Sequence, residues 1–257
     1  MDKKQPIGVF DSGLGGVSVL RELVRLLPNE EFIYFGDSVN APYGTKTDKQ
    51  ITDLALKVME RLVEQNCKAV VVACNTITGV AVKTIRETYP QLIVVATEPA
   101  VKPAVQYNDS GKVLVMATPA TLRSKRLLML EERFKKRAQI INCPCPGLME
   151  FVEKGETRSE RLRQYLIQRF SEVGVDHPDS VVLGCTHYPF VRDMIQDVLG
   201  DDVKIFEGAP GIARQLKRKL AAYDLLNGSS EPGAIHWQNS SEDPELIKRG
   251  KILLNMK

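Results

Sequence analysis

Apolar residues that follow one another without alternation constrain this chain more than any other feature. VVVAC at residues 70–74 and VVLGC at residues 181–185 are two such runs, and others recur as IGVF, EFIYFG, LIVVA, KVLVMA, AQIIN and VKIF. A strand with one face in water alternates apolar and polar side chains, whereas a strand covered by helices on both faces does not. Between the runs lie longer segments with helical spacing, at 17–27, 48–64, 122–137, 159–173 and 211–226. Strand and helix signals in alternation predict an α/β protein with mostly parallel sheets. After Gly228 the segment NGSSEPG reads as a turn-rich interruption, AIHWQ as a late strand and ELIKRGKILLN as a short helix.

The two cysteine-terminated runs occupy corresponding places in two successive series of βα units. That predicts an internal pseudo-repeat: two similar three-layer domains facing each other, residues 1–97 with 208–257 forming the first and residues 98–207 the second. In open parallel sheets, ligands bind outside the carboxyl ends of the strands, where the βα loops gather. Cys74 and Cys185 both stand at such ends.

Composition narrows the partners. With 257 residues, 43% of them hydrophobic, the chain can fill cores of this size without staples. Its 35 basic and 32 acidic residues nearly balance, so neither nucleic acid nor a membrane surface is expected as a partner. The run Lys135-Lys136-Arg137 reads as a solvated helix end. The start, MDKKQPIGVF, has no apolar h-region and enters a strand almost at once, which predicts neither a secretory signal nor an activator site built on an N-terminal extension. No apolar run is long enough to span a bilayer. Five scattered cysteines, an odd number, give no disulfide framework and agree with a reducing cytosol.

A thiol at a strand end and helix start feels the partial positive charge of the helix N-terminus, which favours thiolate. Each cysteine here is followed by residues suited to a polar ligand: Asn75 and Thr76 after Cys74, Thr186 and His187 after Cys185. The first strand ends in FDSGLGG, where the third glycine of a dinucleotide fingerprint is replaced by Ser18 and Asp11 would repel a pyrophosphate. Asp11 and Ser12 more naturally receive an ammonium group, although Asp37 stands where a ribose contact would fall. In NAPYGTK, the turn Pro42-Tyr43-Gly44 offers backbone N–H groups to a carboxylate. Thr118 and Thr121, in VMATPAT, serve as a helix cap or as ligand contacts. His187 is the histidine best placed for acid/base help, and Glu153 is a further proton-transfer aid or a solvated helix carboxylate. Cys143-Pro144-Cys145 and Cys185-Thr186-His187 lack the ligand spacing of common structural zinc sites, so no metal is expected.

VFDSGLGG, YFGDSVNAPYG, VVVACNT, ATPAT and VVLGCTHYP, in this order along nearly the whole chain, resemble the glutamate racemases of the aspartate/glutamate racemase superfamily. The resemblance implies two pseudo-symmetric α/β domains with the site between them, no cofactor, a homodimer, glutamate as substrate and D-glutamate supplied to bacterial peptidoglycan. It makes Cys74 and Cys185 the catalytic bases, Cys74 acting on D-glutamate and Cys185 on L-glutamate. Asp11, Ser12, Pro42, Tyr43, Gly44, Asn75, Thr76, Thr118, Thr121, Thr186 and His187 fall on substrate-binding positions, and Asp11, Glu153 and His187 on auxiliary acid or base positions. The chain departs from the family's usual pattern at Glu207, at Ile77 and in CPCPG, which carries an additional cysteine.

Inversion of an α-carbon without a cofactor needs a base on one face and an acid on the other, and two corresponding cysteines suit that task. A thiol amidase would need only one of them, and a non-catalytic amino-acid sensor would bind without α-proton exchange.

Overall fold

The computed structural model describes residues 2–175 and 177–256. Elements follow in the order β1 (Ile7–Asp11), α1 (Val17–Leu26), β2 (Phe32–Gly36), α2 (Asp48–Glu64), β3 (Ala69–Val72), α3 (Asn75–Thr88) and β4 (Ile93–Ala96). Next come α4 (Val101–Tyr107), β5 (Lys112–Ala117), α5 (Pro119–Arg123), α6 (Lys125–Phe134), β6 (Gln139–Pro144), α7 (Leu148–Glu153), α8 (Glu160–Glu172), β7 (Ser180–Leu183), α9 (Arg192–Leu199) and β8 (Lys204–Glu207). The chain closes with α10 (Ala209–Ala222), β9 (Ile235–Asn239) and α11 (Pro244–Leu254). Two compact units result, Met1–Thr97 with Ala209–Lys257 and Glu98–Gly208. Among the described residues, no helix is long and apolar enough to cross a membrane.

The first unit holds a parallel sheet in the order β4-β3-β1-β2-β9. Strands β1, β2 and β3 are buried on both faces, as their unalternating apolar sequences require: every residue in them is buried. One core cluster packs Phe10, Val70 and Val72 of the sheet against Ile51, Ala55, Val58, Met59 and Leu62 of α2 and Ile77, Ala81 and Ile85 of α3. Helix α2 starts at a capping box, with the Thr47 hydroxyl accepting from Gln50 N and the Gln50 side chain accepting from Thr47 N. AIHWQ joins as β9, a parallel addition beside β2.

At the end of β3 remote from Cys74, Lys68 is fully buried and its Nζ lies 2.5 Å from Glu30 Oε2. The same ammonium donates to the Lys3 carbonyl, and Glu30 Oε1 accepts from Asn227 N at 2.9 Å. Satisfied on all sides, this ion pair ties the start of the chain and the segment after α10 to the base of the sheet.

The second unit holds a parallel sheet in the order β6-β5-β7-β8. Its pairing scheme repeats that of the first four strands: the first strand of each series lies between its second and third, and the fourth pairs with the third. Here Val113, Val115 and Val182 pack with Val101, Ala104 and Val105 of α4 and with Leu127 and Phe134 of α6. The helical spacing over 122–137 resolves into two helices rather than one. Ser124 adopts an extended backbone (φ −65°, ψ 133°), closing α5, and its hydroxyl accepts from Leu127 N to start α6. A serine that can cap competes with continuation of the helix, and periodicity does not register that competition. Likewise α10 starts at Ala209 and ends at Ala222, short of the expected 226, before Asp224 in the left-handed region (φ 53°).

Candidate active site

In each sheet a cysteine follows two residues after the third strand of the series, and the polar residues gather on the loops at the same carboxyl edge. In the first unit Asp11 is the last residue of β1 and fully buried, its Oδ1 accepting from Gly13 N at 3.1 Å. Ser12 Oγ lies 3.7 Å from Cys74 Sγ, which brings the loops after β1 and β3 together. Cys74 is the N-cap residue of the 14-residue α3, with extended backbone (φ −70°, ψ 124°) and no capping bond from its side chain. Its sulfur sits beside the positive end of a helix, where negative charge is stabilised. Asn75 and Thr76 form the first turn of α3, both buried, and Asn75 Oδ1 has no hydrogen-bond partner among the described residues. A buried acceptor without a partner suits a ligand that brings its own N–H groups.

Tyr43 opens a 3-10 turn over Tyr43–Thr45 and is buried, between exposed Pro42 and half-buried Gly44. Its hydroxyl donates to Asp37 Oδ2 at 2.5 Å, and Asn40 Nδ2 donates to both Asp37 oxygens at 3.0 and 3.1 Å. Burial and the adjoining Asp37 carboxylate push the Tyr43 phenol far above its ordinary range, so it stays a neutral donor. Asp37 is thus engaged within its own loop, which removes the ribose contact considered from the sequence. In the loop after β1, Gly16 serves close approach: a Cβ there would come within 2.6 Å of Asp11 Cβ.

In the second unit Gly184 carries the chain from β7 to Cys185, its N donating to Met116 O of β5 at 2.7 Å. Cys185, Thr186 and His187 are all buried. His187 Nδ1 stands 3.8 Å from Cys185 Sγ, while Nε2 stands 2.7 Å from Glu153 Oε1 at the end of α7. Burial disfavours the charged imidazole, but hydrogen bonds to Cys185 and Glu153 outweigh it, holding His187 well above its ordinary value. The helix N-terminus anticipated at both thiols is immediate only at Cys74. After Cys185 a 3-10 turn, Tyr188–Val191, intervenes before α9, and the His187–Glu153 pair supplies the neighbouring charge instead.

Thr118 Oγ1 accepts from Thr121 N at 3.1 Å and donates to Thr121 Oγ1 at 3.0 Å, so the two threonines cap α5. Ile77 is fully buried in the first unit's core beside Cys74 and Tyr43, and Glu207 Oε1 lies 3.7 Å from Arg192 Nη1. His177 and His236 pair with Asp202 and Glu31 on the surface. Among the described residues, no group of three His, Cys, Asp or Glu is placed to hold a metal ion. Sequence reasoning missed two supports, Asp37 with Asn40 under Tyr43, and Cys145, whose carbonyl accepts from the Tyr188 hydroxyl at 3.2 Å. No residue pattern in GDSVN or CPCPG, the segments that carry them, marks either contact.

Residues 7–216 match the family model described as Asp/Glu/hydantoin racemase. Among curated relatives, the glutamate racemase of Clostridium novyi is 47% identical over 254 residues, covering 98% of each chain. Glutamate racemase from Bacillus anthracis superposes with a TM-score of 0.88 at 27% identity, covering 99% of this chain and 96% of that one. The Francisella tularensis glutamate racemase, solved in complex with D-glutamate, gives a TM-score of 0.85 at 29% identity, over 99% of this chain and 95% of that one. On its sequence, its fold and the matching order of its motifs, the chain belongs to the Asp/Glu/hydantoin racemase family.

Proposed function

We propose that this protein interconverts L- and D-glutamate by proton transfer at the α-carbon, with Cys74 and Cys185 as its two bases. The observation that carries this reading is the repeated placement of a buried cysteine after the third strand of each sheet, with Ser12 at one sulfur and His187 at the other. In the first half-reaction one thiolate takes the weakly acidic α-proton. The other thiol then delivers its proton to the opposite face, leaving the two sulfurs with their protonation states exchanged. The reading requires the two half-sites to act on opposite faces of one substrate.

Asp11 balances the substrate ammonium, and Asn75 Oδ1 offers that group an acceptor. Backbone N–H groups about Tyr43 and Gly44 hold a carboxylate, with Ser12, Pro42, Thr76, Thr118, Thr121 and Thr186 completing the contacts. Charge that develops toward the α-carboxylate in the transition state is stabilised by such preorganised donors. His187, with Glu153 behind it, tunes proton transfer at Cys185. The chemistry needs no cofactor or metal. By its family, the protein works as a homodimer in the cytoplasm and supplies D-glutamate for peptidoglycan.

The test is incubation with L-glutamate followed by optical rotation and chiral separation, with L-aspartate in parallel and with chelator present. D-glutamate should accumulate to an equimolar mixture, undiminished by chelator, and far faster than D-aspartate forms. Failure to form D-glutamate, equal turnover of aspartate, or chelator loss restored by zinc would overturn the reading.

A further inference from the structure

The loop CPCPG holds two cysteines for which the proton transfer has no use. Cys143 is in β6 and Cys145 lies two residues on, both buried, with their sulfurs 3.8 Å apart. Among the described residues no third metal ligand joins them; instead Cys145 Sγ donates to the Cys143 carbonyl at 3.3 Å. The Cys145 backbone carbonyl holds the Tyr188 hydroxyl, one residue beyond His187. Downstream, the loop leads straight into α7, which ends at Glu153, the carboxylate on His187 Nε2. The dithiol is thus built into a segment that braces the Cys185 half-site from two directions.

We infer that Cys143 and Cys145 form a redox-sensitive modification site, closed to a disulfide by a peroxide, and that closure disturbs the neighbouring Cys185 half-site. This rests on the proposed function only for the last consequence, loss of racemisation. β6 is an edge strand, and Pro144 cannot donate a ladder hydrogen bond, so this corner opens locally at less cost than the sheet's centre. The Cys145 thiol, 3.8 Å away, lowers the Cys143 thiol below its ordinary range, assisted by nearby Arg169, against the effect of burial. Cys143 is therefore the attacking sulfur and Cys145 the resolving one. The Cys143 thiolate attacks a peroxide oxygen; an S–O bond forms, the O–O bond breaks, and the departing hydroxide takes up a proton to leave as water. Cys145 then attacks the sulfenic sulfur; the S–S bond forms, the S–O bond breaks, and the hydroxyl leaves with the Cys145 proton as a second water. Two thiols and one peroxide become one disulfide and two waters. A ring closed across a single proline is strained, and strained disulfides are readily reduced, so the change is reversible. Transient, sensing disulfides are the kind that reducing compartments hold.

The experiment treats the intact protein with hydrogen peroxide near stoichiometry, then alkylates it and cleaves it with trypsin after Arg137 and Lys154. The peptide 138–154, which contains these two cysteines alone, should become two hydrogens lighter and unalkylated, and revert with dithiothreitol. The alkylation rate of Cys185 should change in step with closure, and racemisation should fall roughly tenfold or more, both reversibly. Cys143→Ala and Cys145→Ala should keep activity and lose this response. Retention of both thiols in the peptide while activity disappears would overturn the inference. So would closure that leaves Cys185 reactivity unchanged, or equal loss in the variants. Were racemisation absent from untreated protein, the functional reading would fall, while peptide mass and Cys185 reactivity would still decide this one.

Discussion

The His187 ring is held from both sides, with Glu153 Oε1 2.7 Å from Nε2 and Cys185 Sγ 3.8 Å from Nδ1. Of the two half-sites, this one is built for a charged imidazole, whose pKa stands well above its usual value. An imidazolium there favours the Cys185 thiolate, so turnover through Cys185 should decline as pH rises through the raised His187 value. Glu153→Gln removes one support and should move that alkaline limb downward. Each unit of displacement is roughly tenfold in charged fraction at the high-pH end. The pH profile of kcat/KM for L-glutamate checks this; an unmoved limb would contradict it.

Stability follows the same linkage. Because the folded-state pKa of His187 lies above the unfolded value of about 6.5, its contribution is fully present below that pH. It is lost as pH rises through the folded value. Denaturant midpoints measured across this window should therefore fall with pH in the natural protein and fall less steeply in His187→Gln.

Tyr43→Phe removes the shortest of the hydrogen bonds to Asp37 and leaves a buried carboxylate with one donor fewer. The expected cost is about 1–3 kcal/mol of stability. A loosened Tyr43–Gly44 turn should also raise KM for glutamate more than it lowers kcat, which steady-state kinetics beside a denaturation curve would reveal.

Gly184→Ala tests how closely Cys185 is placed. The added Cβ would lie 2.8 Å from Met116 O and 2.9 Å from Ala117 Cβ, atoms of β5 that cannot swing aside. The strand end must shift, and a displacement near 1 Å costs on the order of a hundredfold in rate. Folded protein with unchanged kcat would contradict the stated positioning.

Lys68→Met strands Glu30 without its cation in a dry site and should cost about 3–5 kcal/mol. Lys68→Met with Glu30→Gln should recover much of that, and neither should alter KM, because the pair sits at the opposite end of β3 from Cys74. Melting temperatures and KM of both variants provide the check.

Much of this was legible from sequence because parallel strands buried on both faces advertise themselves, as VVVAC and VVLGC do. Cys74 and Cys185 could be picked out by their place at strand ends, and the resemblance singled out His187 and Glu153 separately; the bond between them, across 34 residues, came only with the structure. The division of 122–137 at Ser124 was hidden, since an amphipathic period continues across a capping serine. So was the Asp37–Tyr43 bond, which lies inside an aperiodic loop whose shape no pattern encodes. Tyr188 on the Cys145 carbonyl, a side chain to backbone contact spanning 43 residues, leaves no trace in residue types at all.

The central claim is that two thiols, one for each face, move the α-proton. It is tested most directly by supplying pure L-glutamate in deuterium oxide and following α-deuterium in each enantiomer at early times. The account predicts that nearly every molecule of newly formed D-glutamate carries deuterium, delivered by the second thiol, while the remaining L-glutamate stays protonated. It also predicts that Cys74→Ala and Cys185→Ala each abolish D-glutamate formation. Deuterium entering both enantiomers equally from the outset, D-glutamate that retains the original proton, or wild-type racemisation by either alanine variant would contradict it.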